Sequence, residues 1–150
     1  MTAAIHGSFT VERVFDASPS RVFRAFADPV AKARWFVGPA GWSEIERSMD
    51  FRAGGREIAH GRFSDGTETR FESRYHAIVD GERLVYVYDM YVGGALLSVS
   101  LATIELTRQG TGTLLRITEQ GVYFDAEDAN DQRREGTLHL LEQIATHLPD

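Results

Sequence analysis

The chain has 150 residues, no cysteine and a formal net charge of -6 at pH 7. That length closes one hydrophobic core and is short for two, so a single domain over residues 1–150 is expected. The acidic balance and the lack of a basic run exclude a nucleic-acid or anionic-membrane surface, and the missing cysteines exclude a disulfide framework, a thiol nucleophile and a thiolate metal site. The opening stretch MTAAIHGSF has neither the basic nor the apolar region of a secretory signal, and no apolar run approaches ~20 residues. A cytoplasmic location with no membrane partner is the resulting expectation. Lys32 is the only lysine among 16 basic residues, which we read mainly as composition.

In chain order, Ser8 to Asp16 alternates Phe9, Val11, Arg13 and Phe15 against Thr10, Glu12 and Val14, a strand pattern. Ser18-Pro19 and Asp28-Pro29 each offer a helix cap followed by proline at the first helical position. Two short helices follow from them, the second over Val30 to Phe36 and ended by Gly38-Pro39. From Trp42 the chain reads as strands separated by turn residues: Ser43 to Phe51, Arg56 to Phe63, Thr69 to Val79, Arg83 to Tyr91, Leu96 to Thr107 and Thr113 to Gln120. Gaps of hairpin size make these an antiparallel meander.

The last stretch, Asp128 to Leu148, is one long amphipathic helix. At 100° per residue Thr137, Leu138, Leu141, Ile144, Ala145 and Leu148 share a side, with Asn130 and Arg134 on that side in the first turns. The fold class expected is α+β: a curved antiparallel sheet of about seven strands, two short helices, and a long terminal helix closing a cavity over the sheet.

Several short stretches in this order resemble one family: Trp35-Phe36-Val37-Gly38-Pro39, Asp50-Phe51-Arg52-Ala53-Gly54-Gly55-Arg56, Phe71-Glu72-Ser73-Arg74-Tyr75, Glu82-Arg83-Leu84-Val85-Tyr86 and Thr118-Glu119-Gln120-Gly121. They look like the bacterial homologues of the activator of Hsp90 ATPase, within the START-like, or SRPBCC, superfamily. The resemblance spans Phe9 to Leu148 and implies a helix-grip fold with a deep apolar cavity. It leaves activity open, since the superfamily holds lipid and hormone binders, polyketide cyclases and co-chaperone domains. The eukaryotic co-chaperone has a further amino-terminal domain with no counterpart in these 150 residues, so an Hsp90-type partner is not expected.

The candidate site residues follow from faces. Trp35, Phe36, Trp42, Tyr75, Tyr86, Tyr88 and Tyr123 concentrate aromatic surface, several with a polar tip that needs a partner when buried; they read either as a pocket wall or as ordinary core. Met90 shares a strand face with Tyr86 and Tyr88. Ser98, Ser100 and Ala102 are small where a sheet under a helix usually wants bulk, which leaves room beneath Leu141. Glu119 and Arg134, on facing elements, would form either a structural ion pair or a grip on a polar ligand group. His60 is the one histidine kept as a candidate base. No zinc-type spacing, Gly-x-Ser-x-Gly elbow or phosphate-binding glycine loop occurs, so neither a cofactor nor a metal is expected. Binding a small hydrophobic molecule in the cavity is the function expected; a cyclase- or hydrolase-type enzyme using His60, Glu119 or Arg134 and a co-chaperone-type module are the alternatives. A homodimer stays open.

Overall fold

Local capping chemistry starts both short helices where the sequence places them. In a computed structural model describing residues 3–150, Ser18 Oγ accepts from the Arg21 amide at 3.3 Å and Asp28 Oδ1 accepts from the Val30 amide at 3.0 Å. Met1 and Thr2, which begin the MTAAIHGSF stretch, lie outside the described residues. The elements run β1 (Ile5–Phe15), α1 (Pro19–Ala27), α2 (Pro29–Trp35), β2 (Trp42–Met49), β3 (Arg56–Phe63), β4 (Glu68–Val79), β5 (Arg83–Val92), β6 (Ala95–Gln109), β7 (Gly112–Tyr123) and α3 (Ala129–Thr146).

The seven strands form one antiparallel sheet in the order β1-β7-β6-β5-β4-β3-β2. The meander is therefore completed by β1, which pairs with β7 from Ile5 opposite Tyr123 to Phe15 opposite Thr113. That pairing carries β1 three residues further towards the amino terminus than its alternation alone indicates. No helix among the described residues is long and apolar enough to cross a membrane.

The inner face reads across the strands in rows. One row sets Gly7, Gly121, Ser100, Tyr88, Ser73 and Glu57 side by side; the next sets Phe9, Glu119, Ala102, Tyr86 and Tyr75. Over the first row the backbones come close. A Cβ on Gly7 would lie 2.4 Å from Asn130 Cγ, so glycine there lets the first turn of α3 settle on the sheet.

α3 rests chiefly on β1, with lighter contact to β7 and α2. As a result the apolar interior is in two parts. The main core, including Phe15, Val22, Phe26, Leu115, Leu141 and Ile144, lies between α1, α3 and the β1/β7 side of the sheet. A smaller cluster, Ala59, Phe71, Tyr88 and Ala102, lies on β3 to β6, with Phe36, Tyr86 and Met90 only partly buried around it. The members of this second cluster are buried, and Phe36, Tyr86 and Met90 form its partly exposed rim.

The register of α3 differs from expectation. The residues facing inward are Ala129, Arg133, Thr137 and Leu141, an i, i+4 row, whereas Arg134 is exposed and its Nη1 donates to Glu135 Oε1 at 3.1 Å. A row of fourth residues drifts around the helix by about 40° per step. A wheel fixed on the apolar carboxyl-terminal half therefore picks the neighbour of the correct arginine two turns back. Asn130 does face the sheet, donating to the Ser8 carbonyl at 3.1 Å and accepting from the Tyr123 hydroxyl at 3.3 Å.

Candidate functional site

Two buried polar clusters flank this smaller apolar cluster. In the first, Lys32 from α2 and Glu57 from β3 form an ion pair of 2.5 Å, and the Tyr75 hydroxyl donates to the same Glu57 oxygen at 2.5 Å. Lys32 and Glu57 are 4% and 1% exposed. The ammonium also lies 4.8 to 6.0 Å from the ring centres of Phe36, Trp35, Tyr86 and Phe71, so four aromatic rings surround it. α2 brings Lys32 there because Ala31, Lys32 and Trp35 form its buried side. β3 brings Glu57 there because Glu57, Ala59 and Gly61 share its inner face.

In the second cluster the Tyr88 hydroxyl donates to Glu119 Oε1 at 2.6 Å and accepts from Arg133 Nη1 at 2.8 Å, while Arg133 Nη2 donates to Ser98 Oγ at 2.8 Å. The guanidinium lies 5.5 Å from the Tyr88 ring centre and 5.3 Å from that of Tyr123. Between the clusters stands Tyr86, whose ring is 6.2 Å from Tyr75 and 5.9 Å from Tyr88 and whose hydroxyl has no partner among the described residues. The Oγ atoms of Ser73 and Ser100, on the strands either side of Tyr88, are buried without partners.

Electrostatics follow from this burial. Desolvation raises the Tyr75 phenol, with further upward push from the Glu57 charge, and holds the Tyr86 phenol well above its usual range, reinforced by Glu119. Tyr88 is raised by burial and by Glu119, against the opposing pull of Arg133. All three phenols therefore stay protonated and able to donate. The Glu119 carboxyl is raised by burial, partly offset by the Tyr88 hydrogen bond and by Arg133. For Arg133, burial works against the charge, but Tyr88, Glu119 and Tyr123 outweigh it.

The direction at Glu119 fixes a pH dependence. Its folded pKa lies above the ordinary 4.5, so the native state holds more proton than the unfolded chain as pH rises from about 4.5 through the folded value. Stability linked to this group is full below that window and is lost as pH rises through it. The stability of Glu119→Gln relative to the parent, read as a difference in melting temperature, should grow as pH rises from 4 to 8. A difference that stays constant across that range would contradict a raised Glu119.

The structure brings together much, though not all, of the expected set. Phe36, Tyr75, Tyr86, Tyr88, Met90, Ser98, Ser100, Glu119 and Tyr123 lie on or beside the inner face of β3 to β7. Trp35 and Leu141 belong to the main core, and the Trp35 indole donates to the Ala25 carbonyl at 2.8 Å. Trp42 lies over Gly61 towards the β2 edge, its indole donating to Thr69 Oγ1 at 2.8 Å. His60 is on the outer face, paired with Glu68 at 2.7 Å, and so cannot serve the interior. The alternation of β3 allowed either face to be inner, and the one with Arg56, Ile58, His60 and Arg62 carries the charge.

Arg134 is replaced at the site by Arg133, and the expected pair becomes Glu119–Tyr88–Arg133. The room expected above Ser98, Ser100 and Ala102 is occupied: these residues are 0%, 2% and 0% exposed, beneath Arg133, Tyr88 and Tyr123. Open surface lies one step aside, along Phe36, Tyr86, Met90 and Arg133. Lys32 and Glu57 were not picked out from sequence; the one signal was a lone lysine one turn before Trp35 on the apolar side of a helix. A wide dish of about 620 Å³ opens on the outer face among His6, Ser8, Val87, Val99, Leu101 and Val122, but no buried acid or base reaches it.

A curved seven-stranded antiparallel sheet held by a long carboxyl-terminal helix, with its buried polar groups on the face between them, defines a helix-grip protein of the START-like superfamily. The chain belongs to the family described as Activator of Hsp90 ATPase homolog 1-like protein, whose profile matches residues 16–149. It is similar to the Mll3558 protein from Rhizobium loti, with 44% identity over 97% of this chain and 99% of that one and a TM-score of 0.89. A protein from Rhizobium leguminosarum is 33% identical over 98% of this chain and 97% of that one, with a TM-score of 0.91. The AHSA1-like protein from Aeromonas hydrophila, 22% identical over 94% of this chain and 91% of that one, shares the fold with a TM-score of 0.72. A search of curated proteins gave no match.

Proposed function

We propose that the protein binds a small, largely apolar molecule in the groove along Phe36, Tyr86 and Met90 on the inner face of the sheet. The observation that carries this is the second apolar cluster, whose rim of Phe36, Tyr86 and Met90 is only partly buried. Membership of a START-like family is consistent with a ligand-binding domain of this kind. The unpartnered buried hydroxyls of Ser73 and Ser100 add support, because buried polar atoms are normally hydrogen-bonded and these would be completed by water or a ligand.

A neutral apolar fluorescent probe should bind at one saturable site. Filling the groove with Met90→Trp should weaken that binding by at least about tenfold, since it removes the space and not the fold. Weak, unsaturable binding that Met90→Trp leaves unchanged would defeat the proposal. An enzymatic reading has less to stand on: of His60, Glu119 and Arg134, only Glu119 is buried on the inner face of the sheet. The co-chaperone reading rests on the family description alone.

A further inference from the structure

Among the described residues two partly buried arginines have no acid as a direct partner: Arg21, which donates to the Pro149 carbonyl, and Arg133. Lys32 pairs with Glu57, Arg13 with Glu142 and Arg47 with Glu44. Arg133 instead donates to two neutral hydroxyls, those of Tyr88 and Ser98, each at 2.8 Å. No carboxylate within 4.0 Å of its guanidinium is found among the described residues; Glu119 is reached only through the Tyr88 hydroxyl. A guanidinium carries five N–H donors. Two are used here, leaving donors on both sides of the fork.

A buried charge without a direct partner is costly, and proteins usually neutralise one by pairing it. Arg133 is held rigidly by the two hydroxyls and by the faces of Tyr88 and Tyr123, beside the partly exposed rim where Met90 adjoins Ser98. Its planar fork matches a carboxylate, which accepts two parallel hydrogen bonds. Two neighbours limit the ligand further. Glu119, one hydroxyl away, repels a second negative charge, and the aromatic rim favours a flat apolar body over a hydrated one.

Building on the groove reading above, we infer that Arg133 is the anion-recognising end of the groove and that the ligand is a monoanionic organic acid with a flat apolar body. The other end of the molecule lies over Tyr86 and Phe36.

The test uses 2-naphthoic acid and 2-naphthamide, which share ring and shape and differ in charge, titrated calorimetrically at pH 7.5. The parent protein should bind the acid at least about tenfold more tightly than the amide. In Arg133→Gln that preference should vanish while the amide affinity changes by no more than about threefold. Equal affinities in the parent, or a preference that survives in Arg133→Gln, would overturn the assignment; the first comparison needs no variant to fold. If the neutral fluorescent probe binds but the acid shows no advantage, the anion site is wrong and the groove stands. If neither the probe nor the naphthyl compounds bind, the groove reading falls and takes this inference with it.

Discussion

Replacing Lys32 with methionine should cost about 3 to 5 kcal/mol of stability, because it strands the Glu57 charge in a site from which water is excluded. The carboxylate is 1% exposed and would keep only the Tyr75 hydroxyl as a partner. Glu57→Leu should cost a comparable amount by leaving an ammonium among four rings with no counter-charge. The double variant Lys32→Met with Glu57→Leu should recover much of either loss, since two apolar side chains fit an aromatic surround that two separated charges do not. Chemical denaturation of the four proteins gives the coupling energy directly. Losses that simply add would mean the two groups do not sense each other and that the 2.5 Å pair contributes nothing specific.

Leu141→Ala should destabilise the protein by about 2 to 5 kcal/mol, the range for removing a fully buried leucine from a core that cannot collapse around the gap. Leu141 is 1% exposed and packs in the main core with Ile144, on the side where α3 rests on β1. The folded fraction should still bind the neutral probe with about the parent affinity, because Leu141 is not one of the groove residues, although Phe36 and Tyr86 also pack against the main core. Loss of probe binding in step with stability would show that the two parts of the interior are one unit.

How far the sequence carried this structure depended on whether a feature is local. Ser18-Pro19 and Asp28-Pro29 capped the helices they indicated, because a cap is set by residues two or three apart. Gly66, Gly81, Gly93 and Gly110 ended strands at the indicated turns, each with a positive φ between 60° and 91° that other residues adopt only with strain. The faces of β5 and β6 were legible too, since Tyr86 and Tyr88 alternate cleanly with Val85 and Val87.

What was not legible depends on tertiary geometry. Lys32 and Glu57 are 25 residues apart on elements that meet only once the sheet has curved under α2. The choice between Arg133 and Arg134 turned on the angle at which α3 crosses the sheet, which the apolar residues near its end do not report. The partly exposed rim of Phe36, Tyr86 and Met90 arises because α3 rests chiefly on β1, a matter of packing with no local signature. His60 failed for a related reason: its strand alternates, and only the pairing with β4 decides which side is inner.

The groove itself is tested most directly by amide and methyl NMR of the protein titrated with the neutral apolar probe. Shifts should concentrate on Phe36, Tyr86, Met90, Ser98 and Arg133, all bordering the smaller apolar cluster. Val99, Leu101, Val122 and His60, on the outer face, should stay still. Shifts gathered instead around Val99, Leu101 and Val122 would place binding in the outer dish and contradict a ligand site between sheet and helix.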